Sequence, residues 1–320
     1  MPLQFAPLVG WGALPQGWSY VDVAGVAVDS RQRVYVFNRG EHPIIVFDEQ
    51  GRFLHSWGEG LFRRPHGITI APDDSLFLTD DLGHTVRRFT PEGKLLLSLG
   101  TGEPSPTGIQ GNDYRTIQRG GPPFNQPTNV ALNDQGEIFV SDGYGNARVH
   151  RFAPDGTLLC SWGEPGSQAG RFNLPHGIAI DRQGRVVVAD RENSRLQFFS
   201  QDGRFLDEWR DVLRPMQVLV DPDGLLYVAE VGYRAGLYPW TEVPPGAPGA
   251  RISVFEPGGR LVARFGDADR PCEPGNFFAP HDVCLDARGS LYVGEVVYSA
   301  GGSRGLVPPT CHALQKLVRV

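Results

Sequence analysis

The chain has 320 residues, of which 40% are hydrophobic and 21% charged, the composition of a soluble globular protein and not of a disordered one. Thirty Lys and Arg against 36 Asp and Glu leave a net charge of −6, and no basic run exists that could follow a phosphate backbone, so nucleic acid is not expected as a partner. No apolar stretch reaches the roughly 18 to 20 residues of a membrane-spanning helix, so no membrane partner is expected either.

The first Lys or Arg is Arg31, and Pro2, Pro7 and Pro15 interrupt the apolar residues before it. That start lacks the charged opening of a secretory leader, so the chain as given reads as cytoplasmic. Four cysteines, Cys160, Cys272, Cys284 and Cys311, have no CxxC spacing and are expected to be free thiols; Cys272 and Cys311 both fall in loop-like segments, which leaves that one pairing open.

Forty-one Gly and 27 Pro punctuate short Val, Ile, Leu and Phe runs, a strand-and-turn composition with no long helix. In chain order, the segment Leu8-Val-Gly-Trp-Gly12 resembles the ending of a strand although no complete repeat precedes it. Six apolar runs follow, Gly25 to Asp29, Gly67 to Ala71, Asn129 to Asn133, Gly177 to Asp181, Gln217 to Asp221 and Asp282 to Asp286. Each is followed by a tight turn and a second run, ending at Asn38, Asp80, Asp142, Asp190, Glu230 and Glu295. Most repeats add a third and a fourth strand, and Trp57, Trp162 and Trp209 close three of the fourth strands. Four short antiparallel strands per unit predict a six-bladed β-propeller, one all-β domain over 1–320, because stacked units bury each other's faces. Leu314 to Val318 is expected as the third strand of the last blade, with the Leu8 to Gly12 segment as its outer strand, closing the ring.

The residues just before the six inner runs are Ala24, His66, Thr128, His176, Met216 and His281. Histidines on alternate blades would stand about 120° apart at one height around the channel of such a ring. Three converging neutral imidazoles predict a metal site, zinc or another divalent transition ion, with a position open for water or substrate. His42 and His84 are further candidates for the pocket lining. Strand direction brings the residue after each second strand to the same face: Arg39, Asp81, Gly143, Arg191, Val231 and Val296, with Tyr144 next to Gly143. Arg39 and Arg191 suit a carboxylate, which a guanidinium fork matches with two bonds. The long segments 100–124, 231–250 and 296–311 belong to that face and would wall the pocket, with Tyr114, Arg115, Tyr233, Tyr238, Trp240 and Tyr298 as candidate substrate contacts.

Nearly the whole chain resembles the NHL-repeat propellers, and among them the peptidyl-α-hydroxyglycine α-amidating lyases. The motifs that carry this are Asn38-Arg-Gly-Glu-His42, Arg64-Pro-His-Gly-Ile68, Asp142-Gly-Tyr-Gly-Asn-Ala-Arg148, Leu174-Pro-His-Gly177, Ala189-Asp-Arg-Glu-Asn193 and Ala279-Pro-His-Asp282. The resemblance implies zinc on His66, His176 and His281, a catalytic tyrosine at Tyr144 and functional arginines at Arg39 and Arg191. It also implies a structural calcium held by the carbonyls of Val26 and Ile68 and by Asp282, oxygen ligands that suit a hard cation. The chain departs from that family in having Gly145 where animal members have a cysteine, in a Gly-rich loop after Gly294-Glu-Val-Val-Tyr298, and in the additional 231–250 segment.

The implied activity is a metal-dependent lyase cleaving the N–C bond of a carboxylate-bearing carbinolamide, small or peptide-like, to an amide and glyoxylate or a related oxo acid. Two alternatives stand beside it: a metal-dependent hydrolase or hydratase of lactonase-like type, and a protein-binding scaffold without catalysis. A monomer is expected.

Overall fold

A computed structural model describes residues 3–234, 242–267 and 269–320 of the protein. It contains six four-stranded antiparallel sheets, the blades of a six-bladed β-propeller, and little helix. Blades 1 to 6 span residues 23–57, 65–99, 127–162, 175–209, 215–265 and 280–319, and strand Phe5–Pro7 completes blade 6 by pairing with Leu314–Arg319. Residues 1–59 with 221–320 form one compact unit and residues 60–220 another.

Strand alternation explains why neighbouring blades adhere. In the second strand of blade 3, Ile138 and Val140 pack with Phe77, Val86 and Leu99 of blade 2, while Phe139 between them packs with Val186, Val188 and Phe199 of blade 4. Successive side chains point to opposite faces, so both faces of a blade must be apolar. Each such side chain stabilises by roughly 1.5 to 3 kcal/mol when fully buried. The outer strands have no further sheet neighbour, which leaves Leu95, Leu96, Leu158 and Leu159 exposed.

The second strands end at Asn38, Asp80, Asp142, Asp190, Glu230 and Glu295, the residues at which the repeat pattern ends them. Most of these side chains accept backbone N–H groups from the loop that leads into their own blade's inner strand. Asp80 takes those of Arg63 and Arg64, Asp142 that of Asn125, Asp190 that of Asn173, and Glu295 those of Phe278 and Ala279. In blade 3 the chain Asp142, His150 and Ser161 has the order of a charge relay, at 3.2 and 2.7 Å. The matching places in blade 4 hold Asp190 and Gln197, bonded at 3.0 Å, so this is a blade tether and not a nucleophile.

Three expectations change. The inner strands begin two residues earlier than the apolar runs, at Val23, Pro65, Pro127, Pro175, Pro215 and Pro280. The outer strand of blade 6 is Phe5–Pro7, and Leu8 to Gly12 turns away after one further bond from Leu8 N–H to Lys316 O. Cys272 and Cys311 form a disulfide, so only Cys160 and Cys284 are free thiols. Such a bond is the habit of oxidising compartments and sits poorly with a cytoplasmic placement. No helix among the described residues is long and apolar enough to cross a membrane.

Candidate metal centre

Each histidine is placed by a β-bulge. The pairing of inner and second strands shifts between Pro65 and Ile68, between Pro175 and Ile178, and between Pro280 and Asp282, so an extra residue is inserted where His66, His176 and His281 stand. A bulged residue is re-aimed relative to the strand. The imidazole is then held by the following repeat: Nδ1 of His66 donates to Thr128 O at 2.7 Å, that of His176 to Met216 O at 2.6 Å, and that of His281 to Ala24 O at 2.7 Å. Those acceptors occupy the register of the histidines themselves. The Pro-His-Gly motif follows, because a Cβ on Gly67 would stand 2.6 Å from Thr128 O, and one on Gly177 2.8 Å from Met216 O.

A carbonyl can only accept, so each Nδ1 carries a proton, and in the neutral imidazole that leaves the lone pair on Nε2. This is the arrangement in which a histidine ligates metal, oriented by a bond from its other nitrogen. His66 and His176 have ring centroids 4.8 Å apart, and with His281 they form a buried group whose ligand atoms lie within 4.8 Å of one another. No other such group occurs among the described residues. Three neutral imidazoles fit zinc and also iron, manganese or cobalt.

Tyr144 stands beside this group, its hydroxyl 3.1 Å from His176 Nε2 and 3.3 Å from Arg191 Nη1. Its ring is edge-on to His66 and His176, with the guanidinium of Arg64 5.6 Å and that of Arg191 5.4 Å from its centroid. Both flanking glycines are required: a Cβ on Gly143 would meet Pro175 O at 2.0 Å, and one on Gly145 would meet Asn125 Oδ1 at 2.0 Å. The Gly145 that departs from the resembled family is therefore packed for this chain's own Asn125.

Arg191 is fully buried, and its Nε donates to Glu192 Oε1 at 2.7 Å. The same oxygen accepts from Nη2 of Arg214, also buried, at 2.7 Å. Burial pushes the Glu192 carboxyl up, but Arg191 and Arg214 outweigh it and pull the group down to about 2. Arg64 is bound by both oxygens of Asp81 at 2.7 and 2.8 Å. Burial opposes its charge, and Asp81 more than restores it, raising the guanidinium above its ordinary value. Arg39 lies 3.5 Å from Asp22, with Nη1 3.4 Å from Ser299 Oγ, and keeps some exposed surface.

Other candidates divide. Tyr114 is buried, its ring 6.0 Å from the Arg191 guanidinium, whereas Arg115 is exposed and paired with Asp113. Tyr298 is exposed, Tyr233 is half-buried with its N–H on Pro248 O, and Tyr238 and Trp240 lie outside the described residues. His84 is structural, accepting the N–H of Gln126 at Nδ1, and His42 stacks on Trp18 and pairs with Glu59. Asp282 is buried, accepting the N–H groups of Val26 at 3.0 Å and Val283 at 2.9 Å, so Val26 and Asp282 are neighbours; Ile68 belongs to the unit of residues 60–220. Arg64, Glu192 and Arg214 have no register signal of their own in the sequence, although the first two lie inside the Arg64 to Ile68 and Ala189 to Asn193 motifs.

The NHL-repeat pattern matches residues 124–152 and 172–199, in blades 3 and 4, so the six-bladed propeller carries NHL repeats. Its homologues include a peptidyl-α-hydroxyglycine α-amidating lyase 1 of Drosophila melanogaster, 32% identical over 77% of this chain and 45% of that protein. They also include the human NHL repeat-containing protein 3, 35% identical over 70% of this chain and 66% of that protein. The matched region is thus less than two thirds of these relatives' own length. Among solved structures, virginiamycin B lyase from Staphylococcus aureus superposes with a TM-score of 0.59 at 13% identity over 99% of both chains, a likeness of fold.

Proposed function

We propose that the protein is a metal-dependent lyase that cleaves an α-hydroxyglycine-like carbinolamide, R–CO–NH–CH(OH)–COO⁻, to an amide and glyoxylate or a related oxo acid. The observation that carries this reading is the Tyr144 hydroxyl, held between a histidine of the three-imidazole group and a buried guanidinium. His66, His176 and His281 would hold the divalent ion, zinc in the first instance, which supplies Lewis acidity toward a hydroxyl bound to it. Asp282 with the carbonyls of Val26 and Ile68 would hold a structural calcium, an all-oxygen set suited to it.

Tyr144 acts as the base. The cationic Arg191 beside its hydroxyl favours negative charge on the phenol oxygen, so the oxygen can take the substrate hydroxyl proton. As the C–O bond becomes a carbonyl, the N–C bond breaks and its electron pair goes to nitrogen, which receives the proton back from Tyr144 to give the amide. No water is consumed. Arg191 has no exposed surface, so its role is exercised through Tyr144; Arg39, with some exposed surface, is the guanidinium that receives the substrate carboxylate.

The test is incubation of the metal-loaded protein with an N-acyl-α-hydroxyglycine, following glyoxylate and amide. The reading expects equimolar release with no solvent oxygen-18 in either product's newly formed group beyond exchange. Release of neither product would overturn it, and obligatory oxygen-18 incorporation would favour a hydrolase.

A further inference from the structure

We propose that Arg214 is a positioning residue of this site: through Glu192 it fixes the Arg191 guanidinium against the Tyr144 hydroxyl. The inference deepens the lyase reading and depends on it only where turnover is measured.

Two joins within residues 60–220 are built alike. After the second strand of blade 2, His84 stands at φ 50° and its Nδ1 accepts the N–H of Gln126, which has φ 60° and precedes Pro127. After the second strand of blade 4, Ser194 stands at φ 48° and its Oγ accepts the N–H of Arg214, which has φ 46° and precedes Pro215. The clasp is the same. At the places of Glu192 and Arg214 the first join has Leu82 and Gln126, so the clasp forms without any ion pair. A buried ion pair carries a large desolvation cost and is weak as a source of stability. The Glu192–Arg214 pair therefore answers to what it touches next, which is Arg191.

Arg191 needs such an anchor for a reason visible in the other blades. Arg39 faces Asp22 and Arg64 faces Asp81, each across its own blade, and the backbone bonds Arg39 N to Asp22 O, Asp81 N to Arg64 O and Arg191 N to Leu174 O mark the equivalent places. Opposite Arg191 that place holds Leu174, which offers no carboxylate. Glu192 supplies one from the adjacent position, and its Oε1 is shared between Arg191 Nε and Arg214 Nη2 at 2.7 Å each. Two donors at a fixed fork orient the carboxylate, and the carboxylate in turn aims the remaining Arg191 nitrogens at Tyr144. Without Arg214, Glu192 is held on one side only, and Arg191 turns with it.

The experiment compares Arg214→Gln, Arg214→Lys and wild type by crystallography and by steady-state kinetics on the N-acyl-α-hydroxyglycine. In Arg214→Gln the Arg191 to Tyr144 separation is expected to open beyond about 4 Å, past hydrogen-bond reach. Turnover should fall on the order of tenfold to a hundredfold, the cost of misplacing a catalytic group, with KM within about twofold. Arg214→Lys should recover most of kcat, which a packing role alone would not do. An unchanged Arg191 position, or an unchanged kcat, in Arg214→Gln overturns the proposal. If wild type releases no glyoxylate, the lyase reading falls while the crystallographic separation still decides the role of Arg214. Should Arg214→Gln not fold, Glu192→Gln, which keeps the shape and removes the charge, faces the same expected and overturning results.

Discussion

The two ends of the first strand pair in each blade follow different rules. At the short-turn end, Asp29, Asn133, Asp181, Asp221 and Asp286 each use one side-chain oxygen to accept two backbone N–H groups, from the residues two and four places on. One solution recurs in these five blades, while blade 2 has Ala71 at that place and uses Asp73 Oδ1 to accept the Ser75 N–H. At the other end the equivalent positions hold Ala24, His66, Thr128, His176, Met216 and His281, and the residues after the second strands differ just as widely. Where the same geometry is met by the same residue, the fold is being specified; where identical backbone carries different chemistry, the residues serve a site.

The largest effect that would sharpen this contrast is expected of Tyr144→Phe. It should lose roughly 10²- to 10⁴-fold in turnover of an α-hydroxyglycine substrate, measured as glyoxylate release, with an unchanged melting curve. Full turnover would remove the tyrosine from the chemistry. Next, Gly143→Ala should cost about 3 kcal/mol by overpacking, read from denaturant unfolding, because its Cβ would stand 2.0 Å from Pro175 O. At the short-turn end, Asp181→Ala should cost about 1 to 2 kcal/mol by leaving two N–H groups without their acceptor, and should leave metal content untouched. A loss of metal in that variant would break the division between the two ends.

The smallest effect concerns pH. Burial holds the His84 imidazole below its ordinary 6.5, and its Nδ1 must be unprotonated to accept the N–H of Gln126. The unfolded chain therefore binds the proton more readily, and the His84 contribution to stability is present above pH 6.5 and fades as the pH falls below it. His312 has the opposite sign: burial lowers its value but Glu295 raises it further, so its contribution is lost as pH rises. Unfolding curves of wild type and His84→Asn between pH 8 and 5 should converge as the pH falls.

Most of the fold was legible because it is repeated: one blade's strand ends could be checked against five others. The histidines were legible for the same reason, since only comparison of registers separates them from turn residues. The missed features are those that repetition cannot show. Inner strands start earlier than their apolar runs because two further residues, Pro-His in blades 2, 4 and 6, enter the strand, and there the pairing register shifts, which periodicity reads as a break. Phe5–Pro7 is too short to carry an alternation, and the Cys272–Cys311 bond depends on two loops meeting. Arg64 pairs with Asp81 17 positions on and Arg214 with Glu192 22 positions back, so residue type alone left these three indistinguishable from surface charge.

The most direct measurement is elemental analysis of the purified untagged protein beside a His176→Ala variant, for zinc, iron, manganese, cobalt and calcium. The account predicts about one transition ion per chain in wild type, as three histidine ligands require, and its loss in the variant while the fold persists. Wild-type protein that binds no transition ion, and takes up none when it is added back, would contradict it.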